Sequence, residues 1–369
     1  MLRPFGEASY YPTLGLRPAE MAAVFELPSR AKARIFPTFQ LKPWLAAASF
    51  ENALDQVNRA YPNLPWIAGL DDTFQPSGRD RPADATMLAF RNPANGFANW
   101  VAFVEGLPNA VPSLLVGPPD QVRVQLESLA SLGRGVVVRV PEFAIGTLQA
   151  LIDLVNIVGY TDVLFVLDFQ RIDGRYLAHV AAASSYVRRI MDIIPDASIV
   201  ISSSSFPSTF VGRSEQSIFE RSFFNGVVQG ADHVELKFGD FGSVRIDRGG
   251  GGGAPTPRVD YATFQDWRFF RQELGDDYAG LSDTAEKAAA RFECYQTAAL
   301  ALMATPRLWR PNLRIWGTQM IERTAAGDDT AIRSPVRSTA VRINLHLHLQ
   351  SYFGDIQSAE AEADDDWED

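Results

Sequence analysis

Cysteine is almost absent: Cys294 stands alone among 369 residues. No internal disulfide can form, and such usage fits a reducing compartment. Histidine is nearly as scarce, with four residues. There is no His-Glu-x-x-His, no paired cysteine and no acidic loop with calcium spacing, so neither a metal nor a cofactor is expected. No run approaches about 18 apolar residues, which argues against a membrane-spanning helix. The opening Met-Leu-Arg-Pro-Phe-Gly lacks the apolar core that a secretory leader needs. Ser202–Ser205 lacks a Gly-x-Ser-x-Gly elbow, and no Gly-Lys-Ser/Thr follows the five glycines at 249–253. Basic charge is also short, the formal balance being −10. Eight acids (Asp355, Glu360, Glu362, Asp364, Asp365, Asp366, Glu368 and Asp369) supply most of that excess. The remaining body is nearly neutral and has no electrostatic footprint for nucleic acid. A cytoplasmic globular protein is expected, with residues 354–369 a disordered acidic tail that aids solubility or meets a basic partner.

What is present is a rhythm of short apolar runs and amphipathic stretches. Candidate strands are Tyr10–Leu16, Ile35–Leu41, Trp66–Leu70, Ala110–Val116, Gly135–Val140, Val163–Phe169, Ser198–Ser203 and His233–Phe238. Several are continuously apolar, as strands covered on both faces of a parallel sheet should be. Between them, Pro18–Ala33, Ser49–Tyr61, Gly96–Glu105, Pro119–Leu132, Ala144–Val158, Tyr176–Ile194 and Arg213–Asn225 have helical spacing. Gly133 and Gly159 fall where helix ends want a left-handed residue. Eight such units close most simply into an α/β fold of the (β/α)8, TIM-like barrel class, with an open doubly wound sheet as the alternative. The expected organisation is a barrel core over 1–248, a Gly-rich loop over 249–257, and a mainly helical carboxy-terminal elaboration over 258–353, followed by the tail.

Barrel sites gather at the carboxyl ends of strands. The charged residues assigned there are Lys42, Asp71, Arg139, Asp168, Glu235, Lys237 and Asp240, with Asp72, Glu142, Gln40 and Gln170 beside them. Strand alternation puts Glu235 and Lys237 on one face. Such a mouth suits an anion or general acid–base chemistry, with Asp168, Asp240 and Lys237 the catalytic candidates. The same charges, with Lys42, Arg139 and Lys237 set against Asp71, Asp168 and Asp240, equally suit closed ion pairs that hold the barrel together. His346 and His348 share a face only if their segment is a strand; on a helix they diverge. Trp44, Trp267 and Trp316 are candidate interface anchors or core residues.

Three separated segments carry a resemblance. Tyr11-Pro-Thr-Leu, a helix with Ala19-Glu20 and Leu27, and Arg34-Ile-Phe-Pro-Thr-Phe-Gln resemble the opening of the phage beta-protein family. Phe238-Gly-Asp-Phe-Gly is similar to its Gly-Asp segment. Trp316-Gly-Thr-Gln-Met-Ile-Glu-Arg and Arg337–Leu349, with Asn344, His346 and His348, are similar to its carboxy-terminal features. Gln40 stands where an acid is common, and Leu347 splits a His-His pair. The family is named for a satellite-phage protein that protects its host against a killer protein encoded beside it. The resemblance therefore implies an immunity or sensing component that binds a protein partner encoded nearby, or a small anionic ligand, at the barrel mouth. It assigns no reaction, although it draws attention to Gly239, Asp240 and Gly242. A hydrolase of a phosphate ester or glycoside at the same mouth is the alternative, and a purely structural phage component the third reading.

Overall fold

In the computed structural model, residues 5–76, 78, 81–231, 234–246 and 255–361 are described. His233, the five-glycine run and 362–369 lie outside them. The strands, in chain order, are β1 (Tyr10–Gly15), β2 (Thr38–Leu41), β3 (Trp66–Leu70), β4 (Ala110–Pro112), β5 (Val136–Pro141), β6 (Val163–Arg171), β7 (Ser198–Ser204), β8 (Glu215–Ser217), β9 (Leu236–Asp240), β10 (Arg258–Ala262) and β11 (Asp266–Arg271).

The chain divides into two units, each assembled from three segments. The first comprises 1–17, 33–205 and 219–241; the second comprises 18–32, 206–218 and 242–369. In the first, eight parallel strands run in the order β4-β3-β2-β1-β9-β7-β6-β5. A parallel bridge between Ser113 and Val137, with Leu114 N–H donating to Val137 O at 2.8 Å, joins the two ends of that order. The barrel expected from the apolar runs is therefore present. Its interior is a buried cluster of Tyr11, Phe36, Ile67, Val111, Val137, Leu164, Val166 and Val200, with Phe5 and Ala8 from the segment before β1. Side chains alternate along a strand, so Thr38, Gln40, Gly69, Ser113, Arg139, Asp168, Ser202 and Gly239 also face inward, one or two steps further along the strands.

Helices follow the expected stretches with local differences. Pro119–Ser131 begins on a proline, and Leu148–Val158 ends on left-handed Gly159, φ 69°. Gly133 is left-handed as well, φ 64°. Pro82–Phe90 is a helix the apolar periodicity did not reveal. The spacing over 213–225 predicts one helix. Instead Glu215–Ser217 pairs with β11, and the helix runs Phe219–Gly230.

The second unit contains the helices Pro18–Phe25, Thr284–Met303, Trp316–Ala325, Pro335–Ser351 and Ile356–Ala361, together with an antiparallel sheet ordered β10-β11-β8. The carboxy-terminal region is helical as expected, but the sheet was not foreseen. Nor was the recruitment of Pro18–Lys32, since the barrel was read as continuous to residue 248. Asn344 explains that recruitment. Its Nδ2 donates to Ala23 O and Glu26 O, both at 3.0 Å, while Oδ1 accepts from Gly317 N–H at 3.1 Å. A Cβ at Gly317 would lie 2.8 Å from Leu345 Cγ, so only glycine admits this approach. The tail was expected to lack structure from residue 354. Asp355 instead caps a short helix through Ser358, and Ala359 is buried beside His348.

Candidate functional site

Four of the seven assigned residues meet at the barrel's carboxyl end. Arg139, inward on β5, donates from Nε and Nη2 to Asp168 Oδ2 at 2.9 and 2.6 Å, and from Nη1 to Asp72. Burial alone would lower the Arg139 pKa, but the two carboxylates outweigh it and hold the guanidinium firmly charged. Asp168, itself buried, also accepts from Gln170 N–H at 2.9 Å and Gln170 Nε2 at 2.6 Å. Gln170 makes both bonds from a left-handed backbone, φ 52°. Lys42 lies 3.1 Å from Asp71, whose other oxygen accepts from Thr73 N–H and Oγ1. Arg91 donates to Asp71 O and Phe74 O. Three cations and three carboxylates thus balance around the mouth.

The other three assignments need correction. Glu235 and Lys237 pair with each other, and Lys237 Nζ donates to Gly6 O at 3.1 Å. Gly6 precedes β1, so the pair sits at the amino-terminal end of the strands. Alternation gave their face correctly but could not give their depth. Asp240 lies on the opposite face of β9 from Lys237 and Gly239. It accepts from the Tyr10 hydroxyl, and the Tyr10 ring stacks on Phe238, centroids 5.6 Å apart. Phe238 in turn meets Phe224 and lies under Arg221, both on the helix Phe219–Gly230. Tyr10, Arg221, Phe238 and Asp240 of this outer cluster are buried. Burial, then the Asp240 charge, pushes Glu220 up to about 8, although the Ser205 N–H and hydroxyl donate to it. Burial brings Arg221 down to about 9 against the pull of Asp240, Tyr10 and Glu220. Tyr10 is raised by burial and by Asp240. Glycine roles divide too. Gly242 is left-handed, φ 60°, as a turn requires, whereas Gly239 is needed for space: a Cβ there would meet Tyr11 O and Val200 Cγ1 at 2.8 Å.

The mouth also holds Thr38, Gly69, Ser113 and Phe97, which the pattern of charged residues does not reveal. A cavity of about 420 Å³ opens over β2–β5, lined among others by Thr38, Gln40, Gly69, Ser113, Arg139 and Phe97. Phe143, 76% exposed, stands at its rim. The side chains of Thr38, Gln40 and Ser113 make no hydrogen bond among the described residues. Phe97 reaches its place through three consecutive left-handed residues, Asn95, Gly96 and Phe97, at φ 54°, 67° and 57°. For non-glycine residues each such conformation costs about 1–3 kcal/mol, and strain of this kind concentrates where function requires it. Alternation from Gln40 back to Thr38, and from Asp71 back to Gly69, was the available signal for the floor.

Trp267 and Trp316 are buried, so neither offers a docking anchor. His346 and His348 lie on the helix Pro335–Ser351, both buried. His348 Nε2 is 2.9 Å from Ala359 O, and burial takes its pKa down to about 4. Among the described residues no group of three or more His, Cys, Asp or Glu could hold a metal, and no helix is long and apolar enough to cross a membrane.

A family profile described as Beta protein matches residues 10–351. The chain belongs to the beta-protein family. This beta-family chain is 29% identical over 359 residues to Protein beta of Enterobacteria phage P4, covering 94% of each. Solved structures also align with it. The carboxyl transferase domain of Rhizobium etli pyruvate carboxylase with pyruvate and biocytin matches 96% of the beta-family chain and 53% of its own, at 11% identity and TM-score 0.36. The same domain with 3-bromopyruvate matches 98% and 55%, at 12% identity and TM-score 0.37. The chain spans about half the length of those neighbours, and likeness this distant carries no argument.

Proposed function

We propose that this beta-family protein acts by binding rather than by catalysis, as the protective or sensing component of a phage conflict system in the cytoplasm. Its ligand is a small molecule held over β2–β5, and its partner a protein encoded nearby that responds to the occupied pocket. The observation that carries this reading is the 420 Å³ hollow with uncommitted polar groups on its floor, a volume within the range of small-molecule sites. Three observations favour binding over the hydrolase alternative. Asp168 already accepts four hydrogen bonds, Asp240 faces away from the mouth, and Lys237 sits at the other end of the strands.

The test is retention of ligand. Wild-type protein and Ser113→Phe, which places a ring in the hollow, are purified from the same host, denatured, and their released small molecules compared by mass spectrometry. A compound approaching one per chain in wild type and missing from the variant is the expected result. Identical profiles from two equally folded proteins overturn the proposal.

A further inference from the structure

We infer that the mouth pocket takes a neutral, planar heterocycle bearing both hydrogen-bond donors and acceptors, the chemistry of a nucleoside, rather than a free anion. The inference rests on the mouth being the ligand site and names the class of ligand.

Charge is the first argument. An anion site needs positive charge that the protein has not already neutralised. Here Arg139 is committed to Asp168 and Asp72, and Lys42 to Asp71. Arg91 spends its guanidinium on the main-chain oxygens of Asp71 and Phe74. Arg91 keeps its charge, but the three cations of the mouth are matched in number by Asp71, Asp72 and Asp168, so a phosphate entering the hollow meets no excess of positive charge, whereas a neutral molecule leaves the Arg139 and Lys42 pairs intact.

The floor supplies the second argument. Thr38 and Gln40 project from β2 and Ser113 from the end of β4, the two strands that flank β3, since Gln40 pairs with Gly69 on β3 and Ala68 with Pro112 on β4. A hydroxyl and a carboxamide can each donate and accept. Three such groups in a row suit the edge of a heterocycle, where donors and acceptors alternate, better than a ligand that only accepts. Gly69 between them keeps the floor low: a Cβ there would sit 3.5 Å from Ser113 Oγ and Thr38 Cγ2.

The walls argue for a flat ligand. Phe97, Leu114, Leu115, Val116, Pro141 and Phe143 present apolar and aromatic surface. The Phe97 ring is fixed by left-handed backbone and by Gly117, where a Cβ would lie 2.7 Å from it. Phe143, so exposed at the rim, gives a second ring for stacking. Base edges read by amide and hydroxyl groups while the faces stack on aromatic rings is the usual physics of single-base recognition.

The experiment is calorimetric titration of the full chain with adenosine, guanosine, cytidine and uridine, and with inorganic phosphate and glucose as anionic and non-planar controls. At least one nucleoside should saturate at one per chain, with no heat from phosphate or glucose. Thr38→Val with Ser113→Ala should weaken binding at least ten-fold, and Phe143→Ala several-fold, with unchanged thermal melts. Failure of all four nucleosides to bind overturns the inference. So does saturation by phosphate or glucose alone, although the pocket then remains a ligand site. Nucleoside binding that survives Ser113→Phe also overturns it, and removes the mouth as the site altogether.

Discussion

One side of the barrel is hollow at its carboxyl end and the other is filled, although both are made of parallel strands with the same alternation. Two inward glycines show the difference. At Gly69, on β3, an added methyl would meet its neighbours at ordinary contact, 3.5 Å; at Gly239, on β9, it would strike backbone and Val200 at 2.8 Å. Arg139 marks the border, reaching from β5 to Asp168 on β6. A closed barrel fills its interior by layers. A pocket arises here because Thr38, Gly69 and Ser113 are small where the opposite side is tied down by Arg139, Asp168 and Gln170. The site is therefore an off-axis hollow, and its shape depends on the border holding.

Breaking the border has the largest expected effect. Arg139→Met leaves Asp168 buried without its cation and should cost about 3–5 kcal/mol in urea melts, with the partner change Asp168→Asn recovering part of it. On the outer face of the filled side, Glu220 gives a pH signature. Its pKa is about 8 when folded, above the usual 4.5, so the folded state holds the proton more tightly. Stability from that group is complete below about pH 4.5 and falls by a few kcal/mol as pH rises through about 8. Denaturation measured from pH 5 to 9 should show that decline, and Glu220→Gln should flatten it. Gly239→Ala should lower stability by about 1–3 kcal/mol through overpacking, read as a lower melting temperature. Gly69→Ala should stay within about 0.5 kcal/mol of wild type. Equal losses at the two glycines would mean that the sides do not differ in packing.

The strands were legible because a continuously apolar run leaves few alternatives, and Trp66–Leu70 agrees at both ends. Others were misjudged where proline intervenes. Ala110–Val116 stops at Pro112, a residue with no N–H for the ladder. Lys42, Asp71, Arg139 and Asp168 were legible as polar residues that follow apolar strand cores. Asp240 was not, since a one-residue step turns a side chain to the other face. Thr38, Ser113 and Phe97 were harder still. Small hydroxyls inside a strand read as ordinary strand residues, and although Asn95-Gly96 favours left-handed backbone, nothing in Phe97 announces a third such residue in succession.

The bonds of Asn344 carry a consequence for how the molecule is made. A ribosome delivers Ala23 and Glu26 more than 300 residues before the side chain that ties them down. Until then the helix Pro18–Phe25 lacks its Asn344 anchor, and its apolar face must wait in a half-made chain. Assembly of the second unit is thus a late event, and a nascent chain interrupted anywhere before residue 344 leaves the amino-terminal helix as an open end for chaperones and proteases to judge.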